Sequence, residues 1–235
     1  MNEVLVVARK EMMQIIRSKN LIISALLFII VFGTISTPAF MAGEGNNPAN
    51  LVDQLGFYLV LTLGIFTGYI FTGQAFFREK QDHVMETLLC TPLSLRRIWL
   101  GKVLGVTITA YLFTLLAACL IIGGASFASD TILLPGALVL IHILFIVPLF
   151  IAVAVGLIGF LQLLLGMREN QILNFALIFV IIMLITLTGE LLGATFTVTG
   201  QFLGALFLLA LALLSMTAFL TRFLDKERII TTIPE

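Results

Sequence analysis

The sequence predicts an all-α membrane protein. Six transmembrane helices follow an N-terminal amphipathic interfacial helix, and a cytoplasmic helix lies between spans two and three. Three observations carry this. Hydrophobic residues make up 60% of the 235-residue chain and charged residues 11%, against about 25% charged in a soluble domain. Uncharged runs are long enough to cross ~30 Å of hydrocarbon, where the backbone must satisfy itself as helix. With six crossings, all 13 lysines and arginines fall on one side, as the positive-inside rule requires.

The apolar segments run roughly 21–42, 54–77, 103–123, 132–166, 171–189 and 201–221. The first is too long for the core of a cleaved signal, so it reads as an uncleaved span. The fourth is the hard one. No charge occurs between Asp130 and Arg168. As a helix, that run would span ~55 Å at 1.5 Å per residue, long for one crossing and short for two. Charge decides for one, because two would send Arg168, Arg222, Lys226 and Arg228 to the opposite side. The surplus is expected to tilt, to kink at Pro148, or to lie at the outer interface near Pro135. The organisation is therefore a helix over 1–20, one six-span domain over 21–221 and a tail over 222–235, with both termini cytoplasmic in the cell membrane. The outer loops are short, leaving no external domain to capture a partner. Net charge is zero, which gives no case for nucleic-acid binding, and two cysteines build no disulfide framework.

Two stretches face the cytoplasm. In "MNEVLVVARKEMMQIIRSKN", Val4, Ala8, Met12 and Ile15 recur at helical spacing with Leu5 and Ile16, and Glu3, Lys10, Gln14 and Arg17 stand opposite. Such a helix lies in the interface with its basic face toward anionic headgroups. It serves at minimum as a topology anchor. In "FFREKQDHVMETLLCTPLSLRRIWLGKVLG", a helix over 79–90 puts Val84, Met85, Leu88 and Leu89 on one face. Glu79, Asp82, His83 and Glu86 then form an acidic ridge on the other. Thr91-Pro92 ends this helix, and Ser94 is placed to cap the next. Trp99, the only tryptophan, sits beside Arg96, Arg97 and Lys102 as interfacial anchors would. The pattern reads either as a solvated amphipathic loop or as a docking helix for a cytoplasmic partner.

This second stretch resembles the signature region of ATP-binding-cassette type-2 permeases, through Glu79, Glu86, Thr87, Leu88, Leu89, Pro92, Gly101 and Lys102. Lys10, Glu11 and Arg17 are similar to the family's opening. The resemblance implies a permease subunit of an ATP-driven exporter with six spans and cytoplasmic termini. It implies a dimer, in the simplest case of identical chains, and a separate cytoplasmic ATPase pair that carries ATP and Mg. The segment 78–97 becomes the coupling helix that fits a groove on the ATPase, with Glu79, Asp82, His83, Glu86, Leu88, Leu89 and Pro92 as coupling residues. Spans one, two and five would line the path. Two departures stand out. Only "GELLGATFTVTG" joins spans five and six, which speaks against the family's re-entrant hairpin, and span five lacks the proline-rich runs of the similar haem-exporter permeases, which stay as an alternative within the resemblance.

This chain has no motor of its own. The phosphate-binding loop needs G-x-x-x-x-G-K-[ST]. Around Gly101-Lys102, Arg96 replaces the first glycine and Val103 follows the lysine. No enzyme motif, metal-ligand set or cofactor site is legible. His142 in segment four reads as a satisfied core histidine, and Glu190 as a solvated helix end that could receive a cationic cargo. Gln74, Gln162 and Asn174 are candidates for hydrogen bonds between helices. Gly64 and Gly68 form a G-x-x-x-G that permits close helix contact. The rival classes are a membrane scaffold or sensor that docks a cytoplasmic protein, and a secondary carrier. The carrier would need intramembrane charges that the sequence lacks.

Overall fold

The computed structural model describes residues 3–41, 48–82, 84, 87, 93–129, 131–166, 168–174, 176, 177, 179, 183 and 198–223. All regular structure among them is helical. Helix α1 is Glu3–Arg17 and α2 is Lys19–Met41. Helix α3 begins at Pro48–Thr72 and continues through a π-helical turn, Gly73–Arg78, into Glu79–Gln81. Helix α4 is Leu95–Ala128. Helix α5 consists of Ala137–Ile141, a π turn His142–Ile146, and Val147–Leu164. Helix α6 is Gly200–Leu220.

Among the described residues four helices are long and apolar enough to cross a membrane: Val52–Gln81, Leu95–Phe127, Ala137–Leu164 and Gly200–Phe223. The pair α1 and α2, bent by 75° at Ser18, qualifies together as a fifth. The chain is thus an all-helical, multi-pass membrane protein. Span five, expected at 171–189, lies largely outside the described residues. In the long fourth segment one helix, Ala137–Leu164, is long and apolar enough to cross, with non-helical chain from 132 to 136 before it. Its π turn falls just ahead of Pro148, whose missing N–H disturbs a regular ladder.

Helix α4 is the centre of the bundle. Val106, Ala110, Thr114, Ala117, Ile121 and Ala125 repeat every three or four residues and are all buried. Leu104, Ile108, Leu112, Leu116 and Leu120 form the exposed stripe behind them. Small residues let backbones approach where lipid gives helices no hydrophobic reason to associate. Gly64 and Gly68 do the same in α3. A Cβ on Gly64 would stand 2.9 Å from Ile151 and 3.1 Å from Thr114, and one on Gly68 3.1 Å from Val155. The buried hydroxyls of Thr67, Thr72, Thr109 and Thr114 each donate to the carbonyl four residues back, at 2.7–2.8 Å. No threonine hydroxyl in this set is therefore left unsatisfied in an apolar core.

His142 is fully buried and stacks on Phe57 with ring centroids 4.0 Å apart. Far from it, α5 carries two glycines that make room for rings. Phe76 lies 2.8 Å from a Cβ position on Gly159, and Trp99 lies 3.2 Å from one on Gly156. Trp99 is only 3% exposed. The expectation of an interfacial anchor is corrected: a glycine on α5 opens a slot that holds the indole inside the bundle.

Candidate functional site

The amphipathic helix α1 lies against the first turns of α4, and two glycines set the distance. A Cβ on Gly101 would be 2.6 Å from the Val7 Cβ, and one on Gly105 would be 2.6 Å from the Ala8 carbonyl oxygen. Only glycine permits this approach. The α1 residues turned inward are Val7, Ala8, Glu11 and Ile15. The buried stripe thus includes a glutamate, while Leu5 and Ile16, on the apolar face of the amphipathic pattern, are 57% and 49% exposed.

Glu11 is buried because its charge is matched. Lys102 of α4 donates to Glu11 Oε1 at 2.9 Å, to Glu79 Oε2 at 2.5 Å and to the Ala75 carbonyl at 2.8 Å. Lys10 donates to Glu79 Oε1 at 2.8 Å and to Glu11 Oε1 at 3.3 Å. Lysine and glutamate alternate around a closed ring: Lys102, Glu11, Lys10, Glu79. Two members come from α1, one from the end of α3 and one from α4. The Lys102, Glu11 and Glu79 side chains are 0%, 1% and 4% exposed, and Lys10 is 43% exposed. Burial pulls the Lys10 ammonium down, but its bond to Glu79 and the charge of Glu11 more than offset this and hold it above the ordinary lysine range. Ion pairs removed from water are tolerated when geometry is good and the remaining donors are used. Here all three Lys102 protons have acceptors, and the ammonium also lies 5.5 Å from the Phe76 ring centre. An exposed pair, Arg97 with Glu3, is a second tie between α4 and α1.

Two expectations are corrected by this geometry. Glu79 was expected on an exposed acidic ridge; it is 3% exposed and points back into the ring. Lys102 was expected as an interfacial anchor; it is fully buried, because two carboxylates converge on it. Asp82 is exposed, as the ridge requires, and so are Val84 and Thr87. Val84 at 39% exposure is not sealed against the bundle. His83, Glu86, Leu88, Leu89 and Pro92 lie outside the described residues, as does Glu190. Arg96 is exposed. Ser94 occupies the N-cap position, but its carbonyl rather than its hydroxyl takes the first bonds, from Arg97 and Ile98.

Next to the ring, Lys80 is buried and caps the end of α5. Its Nζ donates to the carbonyls of Gln162 at 3.4 Å, Leu163 at 3.1 Å and Leu165 at 2.6 Å. Those carbonyls are among the orphan acceptors of a helix C-terminus, where a cation is favoured. Asn170 donates to Gln162 and Leu165 at 3.0 Å each, and the Gln162 amide reaches Asn174 at 3.4 Å. Gln74 instead pairs within its own helix, accepting from Arg78 at 2.9 Å. The end of α3 is thereby fixed to α1 and α4 by Glu79 and to α5 by Lys80. Lys80→Met is expected to destabilise the purified chain by about 2 kcal/mol, since bonds from a charged donor contribute about 1.5–3 kcal/mol. A lowered thermal midpoint in detergent would register it, and an unchanged midpoint would contradict it.

Reading the sequence alone missed the ring and the Lys80 cap. A signal for the ring was present: Glu11 falls on the same helical stripe as Ala8 and Ile15, and Gly101 and Gly105 flank Lys102. For Lys80 no such signal exists, because its acceptors are backbone carbonyls more than 80 residues away.

Residues 10–167 match the family described as ABC-2 family transporter protein. The match covers more than half of the chain and takes in the whole charge ring, and the protein belongs to that family. No curated protein matches the chain.

Proposed function

We propose that this chain is the permease subunit of an ATP-driven exporter, with six spans, cytoplasmic termini and a second copy completing the path. A separate cytoplasmic ATPase docks on the segment that follows Gln81. The observation that carries this reading is the closed Lys102–Glu11–Lys10–Glu79 ring. A force applied to the segment after Glu79 passes at once to α1 and α4, because four alternating charges link them and three of the four are buried. The Lys80 cap carries the same force to α5. Packed elements that have two discrete arrangements transmit motion over such distances. In this scheme ATP closes the motor pair, the motor pulls the 79–90 segments, and the bundles tilt to alternate access between the two sides.

The residues that touch the motor are then the exposed ones, Asp82 and beyond, and Glu79 holds the lever in place. Asp82→Lys is expected to leave the chain inserted and folded while transport per ATP hydrolysed falls about ten-fold, the loss of one charge-assisted contact worth ~1.4 kcal/mol. Reconstitution with the ATPase and parallel assays of hydrolysis and transport measure this. Unchanged coupling would remove Asp82 from the docking face.

A further inference from the structure

Two grooves lie along α1, α2 and α3. The first, about 770 Å³, is lined by Arg9, Lys10, Arg17, Gln14, Met13 and Gln74 among others, with no carboxylate in its wall. The second, about 580 Å³, is lined by Ile23, Leu27, Phe28, Val31 and Ile70, with Asn20 and Ser24 at one end. Their walls are neighbours along the chain: Ser18 lines the first and Asn20 the second, while Ile70 and Gln74 stand one turn apart on α3. A groove with two arginines in its wall thus neighbours an apolar trench along α2 and α3.

We propose that this pair of grooves binds an anionic phospholipid, its headgroup against Arg9 and Arg17 and one acyl chain along Leu27, Val31 and Ile70. The argument is complementarity at both ends. Arg9 and Arg17 are exposed, and a planar guanidinium suits bidentate recognition of phosphate. Basic residues near a membrane surface attract anionic lipid. An uncharged solute would leave the two arginines unused, and a small phosphate ion would leave the trench exposed. The site does not depend on transport and stands whether or not the exporter reading does.

The test uses the full chain in phosphatidylcholine nanodiscs doped with spin-labelled phosphatidylglycerol or spin-labelled phosphatidylcholine, and reads the immobilised fraction by electron spin resonance. Phosphatidylglycerol is expected to be preferred about five-fold, and the double variant Arg9→Gln/Arg17→Gln to reduce this below about two-fold. The charge-matched double variant Arg168→Gln/Arg222→Gln is expected to retain the preference. Millimolar glycerol phosphate is expected to displace none of the lipid. Equal immobilisation of both lipids, equal loss in the two double variants, or full displacement by glycerol phosphate would each overturn the proposal. If Arg9→Gln/Arg17→Gln loses helicity by circular dichroism, Arg9→Gln alone serves, and an undiminished preference there overturns it too.

Discussion

Lys102→Ala is expected to cost the folded chain about 3–5 kcal/mol, the range for removing one partner of a buried ion pair. The loss is large because Lys102 is the most connected member of the ring. Without it, Glu11 and Glu79 share the single ammonium of Lys10, and the Ala75 carbonyl loses its donor. Two carboxylates would then be buried on one lysine, and one of them must take up a proton or draw in water. Thermal melting of the solubilised chain should show a midpoint many degrees lower, with reduced recovery from membranes. The double variant Glu79→Gln/Lys102→Met separates stability from coupling. Replacing a buried pair together is often nearly neutral, so much of the midpoint should return. Transport should not return, because the charge link between α3 and α4 is gone. A single variant as stable as the parent chain would show that the ring is not a buried structural element.

Gly105→Val is expected to detach α1 from α4 while the spans remain inserted. The added Cβ alone would stand 2.6 Å from a backbone carbonyl of α1 and 2.9 Å from the Glu11 Cβ, and a backbone oxygen cannot turn aside. Overpacking of this kind costs about 1–3 kcal/mol even where neighbours relax. Here relaxation means moving α1, which also pulls Lys10 and Glu11 out of the ring. The check is a thiol-to-thiol cross-link by a bifunctional maleimide between cysteines placed at Glu3 and Arg97, whose long side chains form an ion pair across this interface, in a chain with Cys90 and Cys119 replaced by serine. The reagent should cross-link the parent, and Gly105→Val should reduce the yield at least about five-fold, in line with an undocking cost of ~1 kcal/mol or more. Equal yields would mean that α1 tolerates the larger side chain in place.

The spans were legible because hydrocarbon imposes one rule on every residue. A run such as 103–123 has to be helix, and Leu95–Phe127 is one helix long and apolar enough to cross. In the ambiguous fourth segment, Ala137–Leu164 is one helix long and apolar enough to cross. The site was legible only in part. Periodicity assigns a residue to a face of its own helix. It cannot say what stands opposite that face. Glu79 shares the period of Asp82, but two lysines from other helices wait for it and turn it inward. Trp99 and Lys102 looked like residues of a membrane surface by composition, and Gly156 and the paired glutamates moved them inside. Long-range partners decide charges and rings in an apolar protein, and spacing within one helix does not encode them.

The most direct test of a motor-driven lever is mild-detergent capture of the chain from its native membranes, with the bound proteins identified and assayed for ATP hydrolysis. The account predicts a cassette ATPase bearing a complete G-x-x-x-x-G-K-[ST] loop, recovered in roughly equal amount and lost or sharply reduced with Asp82→Lys. Recovery of the chain with no nucleotide-hydrolysing partner, or with an ATPase whose capture is indifferent to Asp82 and to the ring, would contradict it.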